Sequence, residues 1–177
     1  LNMKPWMSQN EINLIVSYLK PEYVMLEWGC GGSTTFFSKY VSEYFSIEHN
    51  KNWYDKIKKE TKENVHMFHI PKNGKFDNKR VNKYEDLEKS GRSQEFKDYI
   101  HYPQKINKIF DAVLIDGRAR PECAKFISNY ITKKSVIFVH DYFCKKYRKH
   151  YWVIEEKFKI IDKIKEGQTL AVFQPNY

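Results

Sequence analysis

The sequence predicts a single α/β domain built on a doubly wound, mostly parallel sheet. Short apolar segments alternate with segments of helical spacing along most of the 177 residues. Residues 112–115 form an uninterrupted apolar run, which is typical of a strand buried on both faces. Hydrophobic residues make up 41% of the chain, which is enough for a sizeable core around such a sheet.

The first part of the chain predicts a β-α-β unit. A helix is predicted over residues 11–19, with Ser8 as its N-cap, and we expect it to cover one edge of the sheet. A strand at 23–27 then leads through a glycine turn into a helix that begins near Ser33, and a second strand follows at 43–48. A crossover of this length makes the two strands parallel. The helix is expected to turn three aromatic residues toward the core: Phe36, Phe37 and Tyr40.

Strands and helices continue to alternate after this unit. The predicted elements are a helix at 53–62, strands at 65–70 and 112–117, a helix at 121–131, a strand at 135–141, a helix or strand at 151–161 and a closing strand at 170–173. Residues 72–105 interrupt the pattern, because polar residues outweigh any apolar period there. We interpret this long segment as a functional insertion, a lid or a substrate loop, with some helix around 95–100. A solvated, disordered loop is the alternative.

The composition and charge constrain the cellular compartment and the binding partners that we expect. A net charge of +9 favours anionic partners without naming one. The three cysteines form no paired spacing, and no leader or apolar run of membrane-spanning length is visible, so we expect a cytoplasmic or other reducing compartment. Because the sequence begins with Leu1, we expect a processed product or a domain excised from a longer polypeptide. The oligomeric state is not predicted.

The glycine turn carries the most specific chemistry. Gly29, Gly31 and Gly32 let the backbone turn sharply and approach a ligand. The N–H groups that open the following helix favour polar or anionic ligand groups. Glu27, just before the turn, would repel a pyrophosphate but attract an amino group or a sulfonium. The turn therefore predicts a cradle for a nucleotide-type cofactor.

Polar residues recur where the predicted strands end. They are Glu27, Glu48, Asp116 and the pair His140–Asp141. In open α/β sheets, ligands bind beyond the carboxyl ends of the strands, so these side chains are expected to share one crevice. Glu48 follows Gly29 at about the spacing of a ribose-binding acid in dinucleotide folds, which leaves NAD as an alternative. The third glycine of that fingerprint is missing, and a cofactor with a ribose but no phosphates fits better.

On these residues the sequence resembles the class I S-adenosylmethionine-dependent methyltransferases. The resemblance covers most of the chain outside 72–105 and rests on the turn, on Glu48 and on residues 115–117 and 140–142. It implies a Rossmann-like sheet of about seven strands with an antiparallel last strand. It also implies that Glu27 and the turn hold the methionine part of the cofactor, and that Glu48 holds the ribose hydroxyls. The cofactor-binding residues that it implies are Glu27, Gly29, Cys30, Gly31, Gly32, Ser33, Glu48, His49, Trp53 and Asp116.

A finer resemblance is to metal-dependent small-molecule and sugar O-methyltransferases. In these enzymes, carboxylates at the ends of the fourth and fifth strands bind a Mg²⁺ ion that also holds two substrate oxygens. Asp116 and Asp141 stand at those positions. Asp141 is flanked by His140 and Tyr142, and neither is the hard oxygen ligand expected there. The sequence therefore leaves metal dependence open.

The predicted acceptor site combines a base with polar contacts. Methyl transfer requires the acceptor oxygen to lie in line with the methyl carbon and to lose its proton. His140 is the predicted base, and the adjacent Asp141 would either orient it or bind a metal instead. Asp116 is the third predicted catalytic residue, and a structural histidine at a strand end is the alternative to the base. The predicted substrate-binding residues are Arg118, Arg120 and Tyr142. Either arginine would suit a phosphate-bearing acceptor such as a nucleotide sugar, or it would pair with a neighbouring aspartate.

The sequence favours an O-methyltransferase that acts on a hydroxyl of a sugar, glycan or other small molecule. An RNA or DNA methyltransferase is the first alternative, because residues 145–150 are basic and aromatic residues nearby could stack on bases. Against it, the amino-group methyltransferase signature Asn/Asp-Pro-Pro-aromatic is missing after the fourth strand. A non-catalytic cofactor-binding module and an NAD-dependent enzyme are the remaining alternatives.

Overall fold

The computed structural model describes residues 3–74, 91–144 and 151–177. The strands are β1 (Val24–Trp28), β2 (Glu43–Glu48), β3 (Val65–His69), β4 (Phe110–Ile115), β5 (Ile131–His140), β6 (Phe158–Ile164) and β7 (Leu170–Pro175). The helices are α1 (Gln9–Tyr18), α2 (Gly32–Phe37), α3 (Lys51–Lys58), α4 (Gly91–Glu95), α5 (Lys97–His101), α6 (Pro103–Ile106), α7 (Arg120–Ile127) and α8 (Trp152–Glu155). A 3-10 turn, Ser38–Tyr40, follows α2.

All seven strands belong to one sheet, in the order β3-β2-β1-β4-β5-β7-β6. Neighbours from β3 to β5 pair in parallel, and β7 is antiparallel to both β5 and β6. The predicted doubly wound, mostly parallel sheet with an antiparallel last strand is therefore confirmed. The order reverses between β1 and β4, and ligands of such sheets bind beyond the carboxyl ends of the strands at this point.

Two hydrophobic clusters cover the two faces of the sheet. Trp28 and Ile115 face one cluster with Tyr99 of α5 and Ile127 of α7. The opposite cluster contains Ile12 and Ile15 of α1, Phe37 of α2, Met25 of β1, Leu114 of β4, Phe138 of β5 and Val172 of β7. The prediction that α1 covers an edge of the sheet is wrong, because its apolar residues share a cluster with the central strands. This position brings α1 close to the carboxyl ends of β4 and β5.

Helix α1 begins at the predicted cap, Ser8, with a complete capping box. The Ser8 backbone N–H and hydroxyl donate to Glu11 Oε2 at 2.8 and 2.7 Å. The Glu11 N–H in turn lies 3.3 Å from the Ser8 hydroxyl oxygen. These bonds satisfy groups at the start of the helix and fix the Glu11 carboxylate, which is fully buried.

The predicted insertion at 72–105 is only partly described, since residues 75–90 lie outside the described residues. Its second part contains α4, α5 and the start of α6, and the predicted helix around 95–100 is present. Phe96, Tyr99 and Ile100 are buried in the core, so this part belongs to the domain interior. Within the described ranges, no helix combines the length and the apolar character needed to cross a membrane. All three cysteines are free.

Candidate functional site

Several of the predicted site residues lie side by side at the carboxyl ends of the parallel strands. Trp28 lies opposite Ile47 and Ile115, and Ile115 lies opposite Val139. The next residues along these strands are therefore level with one another: Gly29, Glu48, Asp116 and His140. Because side chains alternate between the faces of a sheet, these residues point toward the face that carries α1. The structure thus brings the glycine turn, the β2 acid and the β4 and β5 strand ends together at the end of the sheet where the crevice is predicted.

The glycine turn is shaped by two close approaches, at Gly29 and at Gly32. Gly29 has φ +98°, and a Cβ there would lie 3.1 Å from the Gly117 backbone. A Cβ on Gly32 would lie 2.0 Å from the Lys4 carbonyl oxygen. At Gly31, by contrast, a Cβ would have only ordinary contacts, the closest at 3.8 Å from the Trp53 indole. Gly29 and Gly32 therefore leave no room for a side chain, whereas Gly31 is buried but has room for a Cβ.

Glu27 lies behind this turn and holds its shape. Its buried carboxylate accepts hydrogen bonds from the Ser33 hydroxyl and, at 2.5 Å, from the Thr34 hydroxyl, and the Ser46 hydroxyl lies 3.2 Å away. The Thr34 oxygen also accepts from the Gly31 N–H at 3.0 Å. Burial raises the pKa of Glu27 to about 8, although the bonds from Ser33 and Thr34 lower it. Glu27 therefore supports the conformation of the turn from within the protein.

Glu48 presents a charged acceptor beside the turn. Its carboxylate accepts from the Cys30 N–H at 3.0 Å and from the Asn50 N–H at 2.7 Å, and His49 Nδ1 lies 2.9 Å away. Burial raises the pKa of Glu48, but the bonds from His49 and from the Asn50 N–H outweigh it and lower the pKa below its ordinary value. The residue at the predicted ribose position is therefore ionised. Its ribose contact stays a prediction.

Aromatic side chains cluster near the end of β2, beside the predicted crevice. The Trp53 indole of α3 donates to the Cys30 carbonyl, and the side chain is 38% exposed. The His49 ring packs edge-on against Phe96 and Tyr99, with ring centroids 5.5 and 6.0 Å apart. Sequence analysis singled out His49 and Trp53 here but missed the contribution of Phe96, because the segment around it carries no clear apolar period.

His140 lies between two carboxylates. Its Nδ1 donates to Asp116 Oδ1 at 2.8 Å, and its Nε2 lies 3.5 Å from Glu11 Oε1. Burial lowers the pKa of His140, but the hydrogen bond to Asp116 and the charges of Asp116, Asp141 and Glu11 raise it overall. His140 is only 4% exposed, whereas the Asp116 side chain is 24% exposed. The pair therefore presents Asp116 to the crevice and keeps the imidazole beneath it.

Sequence analysis did not identify Glu11 as part of this cluster. The spacing of Ser8 and Glu11 reveals a capping box, but nothing local indicates that the second carboxylate oxygen approaches His140. Thr34 and Ser46 were missed as well. For Ser46 a signal exists, since it is a polar residue between the apolar residues Phe45 and Ile47 of the buried strand β2.

Arg120 joins the ends of β4 and β5. Its Nη1 donates to Asp141 Oδ2 at 3.0 Å and also to the His140 carbonyl. Its Nη2 lies 3.3 Å from Asp116 Oδ1, and its Nε donates to the Gly117 carbonyl at 3.1 Å. Of the two arginines predicted to bind substrate, Arg120 thus pairs with the aspartates.

The other two predicted substrate-binding residues lie in different surroundings. Arg118 is exposed on the loop after β4. Tyr142 is buried, its ring stacks on Tyr151 with centroids 5.2 Å apart, and its hydroxyl donates to Glu155. The structure therefore places Tyr142 in the core rather than at the crevice, because the chain turns inward directly after Asp141.

The donor atoms of Asp116, His140 and Asp141 lie within 4.8 Å of one another, as in a metal centre. One oxygen of each aspartate, however, is already engaged. Asp116 Oδ1 contacts both His140 and Arg120, and Asp141 Oδ2 accepts from Arg120. A Mg²⁺ ion that bound these oxygens would compete with Arg120 for them and would sit beside a permanent positive charge. In this arrangement the residues present do not fit a divalent metal.

Comparison with known proteins supports the fold. No protein-family model and no curated protein matches the sequence. Among solved structures, a methyltransferase-like protein from Silicibacter pomeroyi superposes with a TM-score of 0.68 at 22% identity, over 98% of this chain and 88% of that one. A candidate caffeoyl-CoA O-methyltransferase from Staphylococcus aureus has a TM-score of 0.61 at 12% identity, over 98% and 86%.

An rRNA methylase from Streptococcus thermophilus has a TM-score of 0.56 at 12% identity, over 92% of both chains. The chain has the fold of the class I S-adenosylmethionine-dependent methyltransferases. Proteins with this methyltransferase fold include the rRNA methylase and the candidate caffeoyl-CoA enzyme, so the fold does not determine the acceptor.

Proposed function

We propose that the protein is an S-adenosylmethionine-dependent O-methyltransferase that acts on a hydroxyl group of a sugar, a glycan or another small molecule. The observation that supports it is the strand register, which sets Gly29, Glu48, Asp116 and His140 side by side at the carboxyl ends of neighbouring parallel strands. A cofactor cradle and a proton-accepting pair thereby lie side by side in a methyltransferase fold. Methyl transfer to oxygen needs both.

The donor side is formed by the turn and by Glu48. The glycine turn holds the methionine part of the cofactor, and the ionised Glu48 accepts hydrogen bonds from the ribose hydroxyls. Cys30, Ser33, His49 and Trp53 surround this position. When bound, S-adenosylmethionine supplies a methyl group activated by its sulfonium. The negative charges of Glu48 and Asp116 favour this cation over a dinucleotide pyrophosphate.

The acceptor side is formed by the pair Asp116–His140. Because Asp116 is the exposed member, its carboxylate contacts the acceptor hydroxyl, and His140 holds that carboxylate from behind. During transfer of the methyl group from sulfur to the acceptor oxygen, this pair would take up the proton of the acceptor hydroxyl. The predicted base, His140, thus acts together with Asp116. Arg118 is positioned to pair with a phosphate or carboxylate on the acceptor.

Binding and turnover test different parts of this proposal. Calorimetry with S-adenosylmethionine and NAD side by side is expected to detect binding of the first only. Release of S-adenosylhomocysteine is then measured with a panel of sugars and nucleotide sugars. Tight binding of NAD alone would contradict the proposal, and cofactor binding without turnover on any acceptor would favour a non-catalytic module.

His140→Ala tests the acceptor pair. General acid–base catalysis contributes roughly 10²–10⁴-fold, so we expect turnover to fall by at least about 100-fold while cofactor binding persists. His66→Ala, on β3 and away from the crevice, is the matched control. Near-normal turnover of His140→Ala in a folded protein would refute the base role.

An RNA methyltransferase is the second candidate, favoured by the net charge of +9. The basic run at 145–150, on which this prediction also rested, lies outside the described residues. Salt-sensitive binding of oligonucleotides, together with methyl transfer to RNA and not to sugars, would favour this alternative.

A further inference from the structure

We propose that Arg120 is a built-in cation that takes the place of a divalent metal between Asp116 and Asp141, so that methyl transfer by this protein needs no metal. The consequence for catalysis rests on the proposed function. The exclusion of metal is independent of the proposed function, since it follows from contacts within the chain.

The guanidinium occupies the position where a metal would bind. Its two terminal nitrogens lie 3.0 Å from Asp141 Oδ2 and 3.3 Å from Asp116 Oδ1. The third donor of the cluster, His140 Nδ1, is committed to the same Asp116 oxygen. A metal could bind these atoms only by displacing Arg120. Because the Arg120 side chain is 15% exposed, its charge is only weakly screened by solvent and would repel an incoming cation.

Arg120 also makes contacts that a metal coordinated by the three side chains would not replace. It donates to the Gly117 and His140 carbonyls, and Nη2 lies 3.3 Å from the Asp116 carbonyl oxygen. The guanidinium thereby holds the backbone at the ends of two neighbouring strands. It also holds Asp141, whose φ of +56° lies in the left-handed region.

This arrangement fixes the orientation of Asp116. The contacts of its side chain with His140 and with Arg120 both use Oδ1. The second oxygen, Oδ2, is then the atom offered to an acceptor hydroxyl. Arg120 is therefore a positioning residue: it orients the carboxylate that receives the proton and does not itself contact the reacting atoms.

Local sequence explains how Arg120 reaches this position. The chain leaves β4 at Asp116, and Ala119 adopts φ +51°, so that α7 begins with Arg120 turned back toward the strand it has just left. Arg118, in the same loop, points to solvent. It is a matched control, since its removal takes away the same charge without opening the cluster.

Metal binding is tested with Mn²⁺ alone, followed by electron paramagnetic resonance. We expect no stoichiometric binding by the wild-type protein or by Arg118→Ala. Arg120→Ala is expected to bind about one Mn²⁺, and the double variant Arg120→Ala/Asp141→Asn is expected to lose it. Binding of one Mn²⁺ by the wild type that Asp141→Asn abolishes would overturn the inference. So would a folded Arg120→Ala protein that binds no Mn²⁺.

Turnover tests the positioning role. Wild-type activity is expected to be unchanged by EDTA. Arg120→Lys keeps the charge but not the planar fork, so kcat should fall at least tenfold while the Kd for S-adenosylmethionine stays the same. Loss of wild-type activity in EDTA, or an unchanged kcat for Arg120→Lys, would contradict the inference. If Arg120→Ala does not fold, the Mn²⁺ and EDTA measurements on the wild type still show whether this protein binds a divalent metal and needs it for turnover. Failure of the wild type to bind S-adenosylmethionine would refute the proposed function and leave the Mn²⁺ result standing.

Discussion

Glu27 and Gly31 are linked through a single hydroxyl group. Thr34 Oγ1 donates to the Glu27 carboxylate at 2.5 Å and accepts from the Gly31 N–H at 3.0 Å. The backbone that would receive the cofactor is therefore coupled to a buried acid whose pKa is raised to about 8.

This acid makes the stability of the fold depend on pH. Since the pKa of Glu27 rises from 4.5 to about 8 on folding, its contribution to the free energy of unfolding is complete below pH 4.5 and is lost as pH rises toward 8. Glu27→Gln stays neutral throughout. We expect the difference in unfolding free energy between wild type and Glu27→Gln to change by a few kcal/mol between pH 4.5 and 8, measured by denaturant titration. Glu22→Gln, at an exposed site, is the control, and parallel curves for wild type and Glu27→Gln would contradict the prediction.

Glu48→Gln is expected to weaken binding of S-adenosylmethionine. The substitution removes the charge that would accept the ribose hydroxyls, and hydrogen bonds to charged groups contribute about 1.5–3 kcal/mol each. The Kd measured by calorimetry should therefore rise at least tenfold, which is about 1.4 kcal/mol. Asp55→Asn, which removes an exposed carboxylate paired with Lys51 on α3, should leave the Kd unchanged. An equal Kd for wild type and Glu48→Gln would exclude the ribose role.

Gly117→Ala is expected to destabilise the fold. The new methyl group would lie 2.1 Å from the Tyr99 hydroxyl and 2.9 Å from the Gly29 backbone nitrogen. Forced contacts of this kind cost roughly 1–3 kcal/mol, which thermal or denaturant unfolding will measure. In a double-mutant cycle, Tyr99→Phe should recover only part of the loss, because the contact with Gly29 remains. Full stability of Gly117→Ala would show that α5 is not held against this strand end.

Trp53 is expected to report on cofactor binding. Its indole donates to the Cys30 carbonyl and lies next to Gly31, so a ligand in the cradle changes its surroundings. Titration with S-adenosylhomocysteine should change the tryptophan fluorescence of the wild type, and Trp53→Phe should lose most of the change while still binding by calorimetry. Trp6→Phe, at a site 85% exposed, should keep it. An undiminished change in Trp53→Phe would place the ligand elsewhere.

Many residues of the predicted crevice could be found from the sequence, because the carboxyl ends of parallel strands lie on the same side of the sheet. A polar residue that follows an apolar strand is visible locally, and this was sufficient for Glu48, Asp116 and His140. Glu11 could not be found in this way. It approaches His140 only because α1 packs on the central strands, and that position depends on the strand order.

Other predictions failed for reasons of local geometry. Tyr40 was expected in the core, but α2 ends at Phe37 and continues as a 3-10 turn, which leaves Tyr40 partly exposed. The helical spacing no longer applies once the turn tightens. Tyr142 was expected at the crevice because it follows Asp141, yet the left-handed backbone at Asp141 redirects the chain. A single residue of this kind leaves no periodic signal.

The position of β7 has a consequence for synthesis on the ribosome. β7 is translated after β5 and β6 but lies between them, opposite Val139 and His140 of β5. Until it emerges, the nascent sheet carries an open edge at the strand that bears His140, and an open edge can pair with another chain. The acceptor half of the crevice is therefore completed only when β7 has emerged, and a pause before residue 170 would expose an aggregation-prone intermediate.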